Sequence, residues 1–185
     1  MMIVFLTRRN KIGDIDMMQY ISHFRYTMMH KIYVFIECAK RGLFIRGIKH
    51  DMSKFSREEF CAYANYFFNS DGSRKPDISV NPPDIKLAFD KAWLHHQQYN
   101  DHHYQYWIHR SGVNTIVYPM NIDAAMEMVC DWIGAAKANG QFGDDLPLPW
   151  YNKNRQKLLL NIDTRYNIER LIGYNEPLHI DDRGA

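Results

Sequence analysis

Between Ile15 and Arg41 the chain carries neither proline nor glycine. Tyr20, Phe24, Met28, Ile32 and Phe35 recur there in steps of three or four, the period of an α-helix. This spacing predicts one long helix. Gly42 is the natural stop, because a residue without Cβ accepts the left-handed backbone that follows a helix end. His23 and His30 are seven residues apart and share a face of this helix.

The rest of the chain reads in the same way. A short helix is expected over Phe44–His50. Ser56 followed by Glu59 forms a capping box that opens a helix to about Asn69. The stretch "SDGSRKPDISVNP", residues 70–82, is a polar, turn-rich loop. Pro83 and Asp84 suit a first helical turn, and Ile85, Phe89, Trp93 and His96 then step at helical spacing. Asn100-Asp101 is a candidate break. Residues 110–120 form a connection with an extended piece at "TIVY". Asn121 caps a helix over Ile122–Ala138, which Asn139-Gly140 ends. Two short helices are expected near Trp150–Leu159 and Thr164–Ile172, with a loose polar tail after Gly173. Apart from "TIVY" nothing alternates with period two, so the expected fold class is all-α. At 185 residues a single domain is expected over 1–185, with its core within about 15–172 and a tail over 173–185.

Charge and cysteines narrow the classes. A net charge of +2 provides no field for nucleic acid, and the cluster Arg8, Arg9 and Lys11 reads as a solvated terminus. The apolar run Met2–Leu6 is too short to span a membrane and is followed by basic residues, unlike a secretion signal. Cys38, Cys61 and Cys130 are odd in number and form no CxxC, which suits reduced thiols and a cytoplasmic location. Homo-oligomerisation is compatible with all of this.

Four places carry chemistry-bearing residues. In "AWLHHQQYNDHHYQYW" two histidine pairs, His95-His96 and His102-His103, fall within nine residues. On a continuous helix His96 and His103 would share a face, as would His95 and His102. That arrangement suits a shared metal or phosphate, or a water-linked pair. The others are His30, the adjacent His50 and Asp51 in "KHDMSKF", and Asp131 in "EMVCDWIGA". Each has a plain structural reading alone: a surface histidine, a turn cap, a partner for arginine. A carboxylate at Asp131, beside Met128 and Ile133, is costly to bury unless paired or bound to a metal.

Taken together, the order His, His-Asp, His, His, Asp over about 100 residues of a helical chain resembles the HD-domain superfamily of metal-dependent phosphohydrolases. "HDMSK" is similar to the HD-x-x-K of its cyclic-nucleotide and cyclic-dinucleotide phosphodiesterases. The longer strings "HKIYVFIECAKRGLFIRGIKHDMSKFSREEF", "AWLHHQQYNDHHYQYW", "EMVCDWIGA" and "WYNKNRQKLLL" resemble the DUF5662 family of small bacterial and phage proteins, over roughly residues 26–172. The superfamily order implies His30, His50, Asp51 and Asp131 around a first metal. It implies His96 with His102 or His103 at a second, and Asp51 as the bridge. Lys54 would contact a phosphate. Asn100 would orient a ligand or cap the second histidine segment, and Glu127 would support the ligands from behind.

Imidazole with carboxylate suits Mn, Fe, Co, Ni or Zn, as one ion or two. The expected activity is hydrolysis of a small phosphorylated substrate, a nucleotide among the candidates, with Asp51 and Lys54 as the catalytic residues. No "GYP" follows the HD pair, so a cyclic-dinucleotide substrate is not carried over. The same ligand order also fits diiron oxygenases on this scaffold. A third reading is a protein that uses a metal as a staple, or a pocket that sequesters a nucleotide.

Overall fold

The computed structural model describes residues 17–175. The Met2–Leu6 run, the Arg8/Arg9/Lys11 cluster and residues 176–185 of the expected tail lie outside the described residues. Seven α-helices form the body: α1 Met18–Lys40, α2 Phe44–Lys49, α3 Arg57–Phe67, α4 Pro83–Tyr99, α5 Ile122–Ala138, α6 Leu148–Asn154 and α7 Ile162–Ile172. The described residues are therefore mostly helical, as expected. The exception is a hairpin, β1 Ile108–Ser111 against β2 Asn114–Val117, antiparallel with Ile108 opposite Val117. "TIVY" supplies most of β2. β1 leaves no signal in the sequence, because three of its four residues are exposed and no apolar alternation marks it.

The helix ends follow local chemistry. The Ser56 side chain accepts the backbone N–H of Glu59 at 3.3 Å, and Asn121 accepts that of Ala124 at 2.8 Å. Gly42 takes φ +76°, the left-handed value its position requires. Asn161 caps α7 by accepting from Asp163, a cap that places the start of α7 two residues before the expected Thr164.

α1 packs along α5, against α2 and against α3; α3 packs on α4, and α5 on α7. The approach of α1 to α5 is close. A Cβ at Gly134 would lie 3.0 Å from the backbone nitrogen of Val34, so glycine sets that spacing. Val34, Cys38, Leu43 and Cys130 fill this contact. Among the described residues the three cysteines are free thiols. The larger apolar core joins α5 to the C-terminal segment through Met128, Val129, Ile133, Tyr151, Leu158, Leu160 and Ile168.

The apolar row that marks α1 in the sequence is not its buried face. Phe24 and Ile32 are 48% and 49% exposed, whereas His23, Thr27, His30, Val34, Glu37 and Cys38 turn inward. A helix that buries two histidines and a glutamate must meet polar partners inside the fold.

Candidate metal centre

The centre begins where α2 ends. Lys31 donates to the carbonyls of Ile48 and His50 at 2.7 and 2.6 Å, satisfying acceptors that a helix end leaves open. The chain then turns at Asp51, with φ +54° and ψ +27°. Among the described residues it is the one non-glycine with positive φ. Aspartate tolerates this region better than most residues, at about 1 kcal/mol. The turn brings the Asp51 carboxylate inside and starts a 3₁₀ turn, Met52–Phe55, which returns Lys54 to donate to Asp51 Oδ2 at 2.5 Å.

The two oxygens of Asp51 face different groups. Oδ2 lies 3.2 Å from His50 Nε2 and 3.5 Å from His30 Nε2. His30 Nε2 lies 3.0 Å from Asp131 Oδ1. Oδ1 lies 3.2 Å from His96 Nε2 and 3.3 Å from His102 Nε2. Three sets of converging donor atoms result: His30, His50, Asp51 and Asp131; Asp51, His96, His102 and His103; and His50, His102 and Glu127, each with its atoms within 4.8 Å of one another. Asp51 is common to the first two.

The residues fit a metal on a direct observation. Asp51 Oδ1 and the Nε2 atoms of His96, His102 and His103 are buried and have no hydrogen-bond partner. Buried polar atoms are normally paired, and four together without partners form a group that could hold a cation. Imidazole and carboxylate donors could hold Mn, Fe, Co, Ni or Zn.

A second layer orients the rings. His50 Nδ1 donates to Glu127 Oε1 at 2.9 Å, and His102 Nδ1 lies 3.3 Å from the same oxygen. Arg46 donates to Glu127 Oε2 at 2.5 Å and also pairs with Asp101. Glu59 accepts from His96 Nδ1 at 2.8 Å, His95 Nδ1 at 2.7 Å and Ser53 at 3.1 Å. A proton held at Nδ1 leaves the Nε2 lone pair facing the centre, as ligation requires.

Protonation follows the packing. Burial alone would raise the Asp51 carboxyl, but the charges of His50, Lys54 and His96 hold it well below the usual carboxylate range. Burial is likewise overcome at Asp131 by hydrogen bonds from His30 and His50, and its carboxyl also lies well below that range. At His50, without a metal ion, burial is outweighed by the charge of Asp51 and by its carboxylate hydrogen bonds, and the imidazole titrates well above its ordinary value, so a metal would have to displace the proton at Nε2. Burial, with His102 and His96 close by, pushes His103 well below its own. Burial opposes the charge on Lys54, but Asp51 and Asp131 raise its pKa and keep it cationic.

The structure thus brings together His30, His50, Asp51, His96, His102, His103 and Asp131, with Lys54 against them. α4 ends at Tyr99, so His96 and His103 do not share one helix face; a turn at Asn100 delivers both His102 and His103 instead. Asn100 donates to Ser53 Oγ at 2.9 Å and to the His96 carbonyl at 2.7 Å, so it holds that turn in place. His95 points to Glu59 rather than to the donor sets. Sequence reasoning missed Glu59 as part of the site, along with Arg46 and Ser53. In the sequence Glu59 signals only a helix cap, while its carboxylate reaches histidines 36 and 37 residues away.

A cavity of about 270 Å³ adjoins the centre, with His30 and Lys54 in its wall. A second, of about 290 Å³, is lined by Arg46, His50, His102 and Glu127, among others. Among the described residues no helix is long and apolar enough to cross a membrane.

The class defined by this fold and site is a mostly helical protein with buried His/Asp/Glu groups that could hold metal. Residues 19–174 match the model of a family described as a family of unknown function, DUF5662, and the chain belongs to that family. No curated protein and no solved structure matches it.

Proposed function

We propose that this protein is a metal-dependent phosphohydrolase on an HD-type helical scaffold, acting on a small phosphate ester such as a nucleotide. The observation that carries the proposal is the set of four unpartnered donor atoms around Asp51, next to a cavity walled by His30 and Lys54. A purely structural metal needs no such cavity. His30, His50, Asp51 and Asp131 would hold one ion, and Asp51, His96, His102 and His103 a second. Bound there, divalent ions would supply Lewis-acid polarisation of a phosphoryl oxygen and a deprotonated water near neutral pH.

The chain's own residues do the rest. Asp51 presents one oxygen to each of these two donor sets and keeps them in register. Lys54, fixed on Asp51 and cationic, offers N–H donors and charge to the phosphoryl oxygens at the cavity wall. Glu127 and Glu59 hold the ring tautomers. Asn100 and Ser53 fix the end of α4 so that His96 keeps its direction.

A phosphate-release screen over nucleotides, sugar phosphates and polyol phosphates, with Mn, Fe, Co, Ni or Zn added singly, tests this. The expected result is metal-dependent release that Lys54→Ala reduces. Oxygen uptake by an iron-loaded protein without phosphate release would replace the proposal with the oxygenase reading. Tight metal binding with no turnover of any ester would leave the metal as a structural element.

A further inference from the structure

The cavity beside His30 and Lys54 contains more than metal chemistry requires. Its wall is largely aromatic, with Tyr26, Phe67, Phe89 and Trp93 among its side chains. Phe89 is stacked on Tyr66 at 3.8 Å and meets Tyr63 edge-on at 5.4 Å, so this wall is braced from behind. Arg74, from the loop before α4, sits with its guanidinium carbon 5.0 Å from the centre of the Tyr26 ring.

Two wall residues also carry polar atoms that the protein leaves unpaired. These are Nδ1 of His23 and the hydroxyl of Tyr63, on residues 3% and 4% exposed. Neither residue belongs to the metal-holding groups. His23 Nε2 meets the Thr27 hydroxyl at 3.5 Å, and burial, with Lys54 nearby, lowers the imidazole to about 4, so the ring is neutral near pH 7 and has Nδ1 left to pair.

We infer that this cavity binds a nucleobase, which makes the substrate of the metal centre a nucleoside monophosphate rather than a sugar or polyol phosphate. The phosphate end of this inference rests on the phosphohydrolase reading; the base pocket does not. Aromatic walls accept the face of any flat ring. A polyol would surrender its hydration to those walls for nothing. A plain aryl group would stack but leave His23 and Tyr63 unpaired. A nucleobase has both a flat face and an edge of donors and acceptors. The volume of about 270 Å³ lies just below the usual range for small-molecule pockets and admits one nucleoside rather than two.

Calorimetric titration of the full-length, metal-loaded protein with the common nucleosides, with ribose and with phenyl phosphate tests this. Nucleosides carry no phosphate, so the readout is independent of hydrolysis. At least one nucleoside should bind more than tenfold tighter than ribose. Tyr63→Phe, which removes one hydroxyl and keeps the ring, should weaken that binding about tenfold. Phe89→Leu should weaken all nucleosides together. Equal affinity for nucleosides and ribose would overturn the inference, as would a Tyr63→Phe protein that binds like the wild type. Hydrolysis of ribose 5-phosphate and nucleotides with equal kcat/KM, and no nucleoside binding, would sink the pocket and spare the hydrolase. Nucleoside binding with no hydrolysis of any ester would do the reverse.

Discussion

Helix α5 borders two buried regions made of opposite materials. Met128, Val129 and Ile133 enter an apolar core with Tyr151, Leu158, Leu160 and Ile168. Glu127 and Asp131, one turn apart on the same helix, enter the histidine centre. Among the described residues the apolar core has no cluster of ligand-type atoms to fill. Its buried Glu169 is paired, with Arg155 at 2.9 Å and the Tyr151 hydroxyl donating at 2.8 Å. Its buried Arg165 donates to the Leu158 carbonyl at 2.9 Å, while one nitrogen, Nε, stays without a partner. The histidine centre is not complete, because four of its donor atoms lack partners. One region draws its stability in water from burial alone. The other's would depend on what binds it.

Substitutions can break or sharpen that contrast. Asp51 serves two of the donor sets, so Asp51→Ala should have the largest effect. Elemental analysis should find the bound metal gone, with phosphate release down by roughly 10³-fold or more. In the apolar core, Ile168→Ala should cost about 2–5 kcal/mol in denaturant unfolding and leave the metal content unchanged. A metal loss there would mean the regions are not separable. Glu127→Gln keeps the shape but weakens the support of His50 and His102, so metal affinity should fall about 10–100-fold in a chelator competition.

A further effect, read only through pH, falls on the α1–α5 contact, away from both regions. Burial alone would raise the Glu37 carboxyl, but hydrogen bonds from Lys137, Lys40 and Arg41 bring it to about 2, below its ordinary 4.5. A carboxylate lowered on folding adds stability above its unfolded pKa and loses it as pH falls toward the folded one. The stability difference between wild type and Glu37→Gln should therefore shrink by on the order of 2 kcal/mol between about pH 5 and pH 2. A constant difference across that window would show that the three cations do not act on Glu37.

Much of the fold was legible because helix ends are local events. Ser56, Asn121 and Gly42 each act within a turn of their own position. The donor residues were legible by type, and Asp51, His30, His50, His96 and Asp131 do converge. Spacing alone does not choose between His102 and His103, and both face inward because the chain leaves the helix at Asn100. The turn at Asp51 depends on a left-handed backbone that aspartate adopts only when its surroundings demand it. Glu59 reaches its histidines, and Tyr63 and Arg74 reach the cavity wall, through contacts with residues distant in the chain, which spacing alone does not reveal. The inward polar face of α1 was hidden for a related reason: an apolar row indicates a helix period, not which side the rest of the fold covers.

The most direct measurement is the metal content of the protein, purified without chelator or nickel affinity resin, by elemental mass spectrometry. One to two equivalents of Mn, Fe, Co, Ni or Zn per chain are expected, falling to none in Asp51→Ala. A metal-free protein that no added divalent ion stabilises would contradict the centre, and the histidines around Asp51 would then need another occupant.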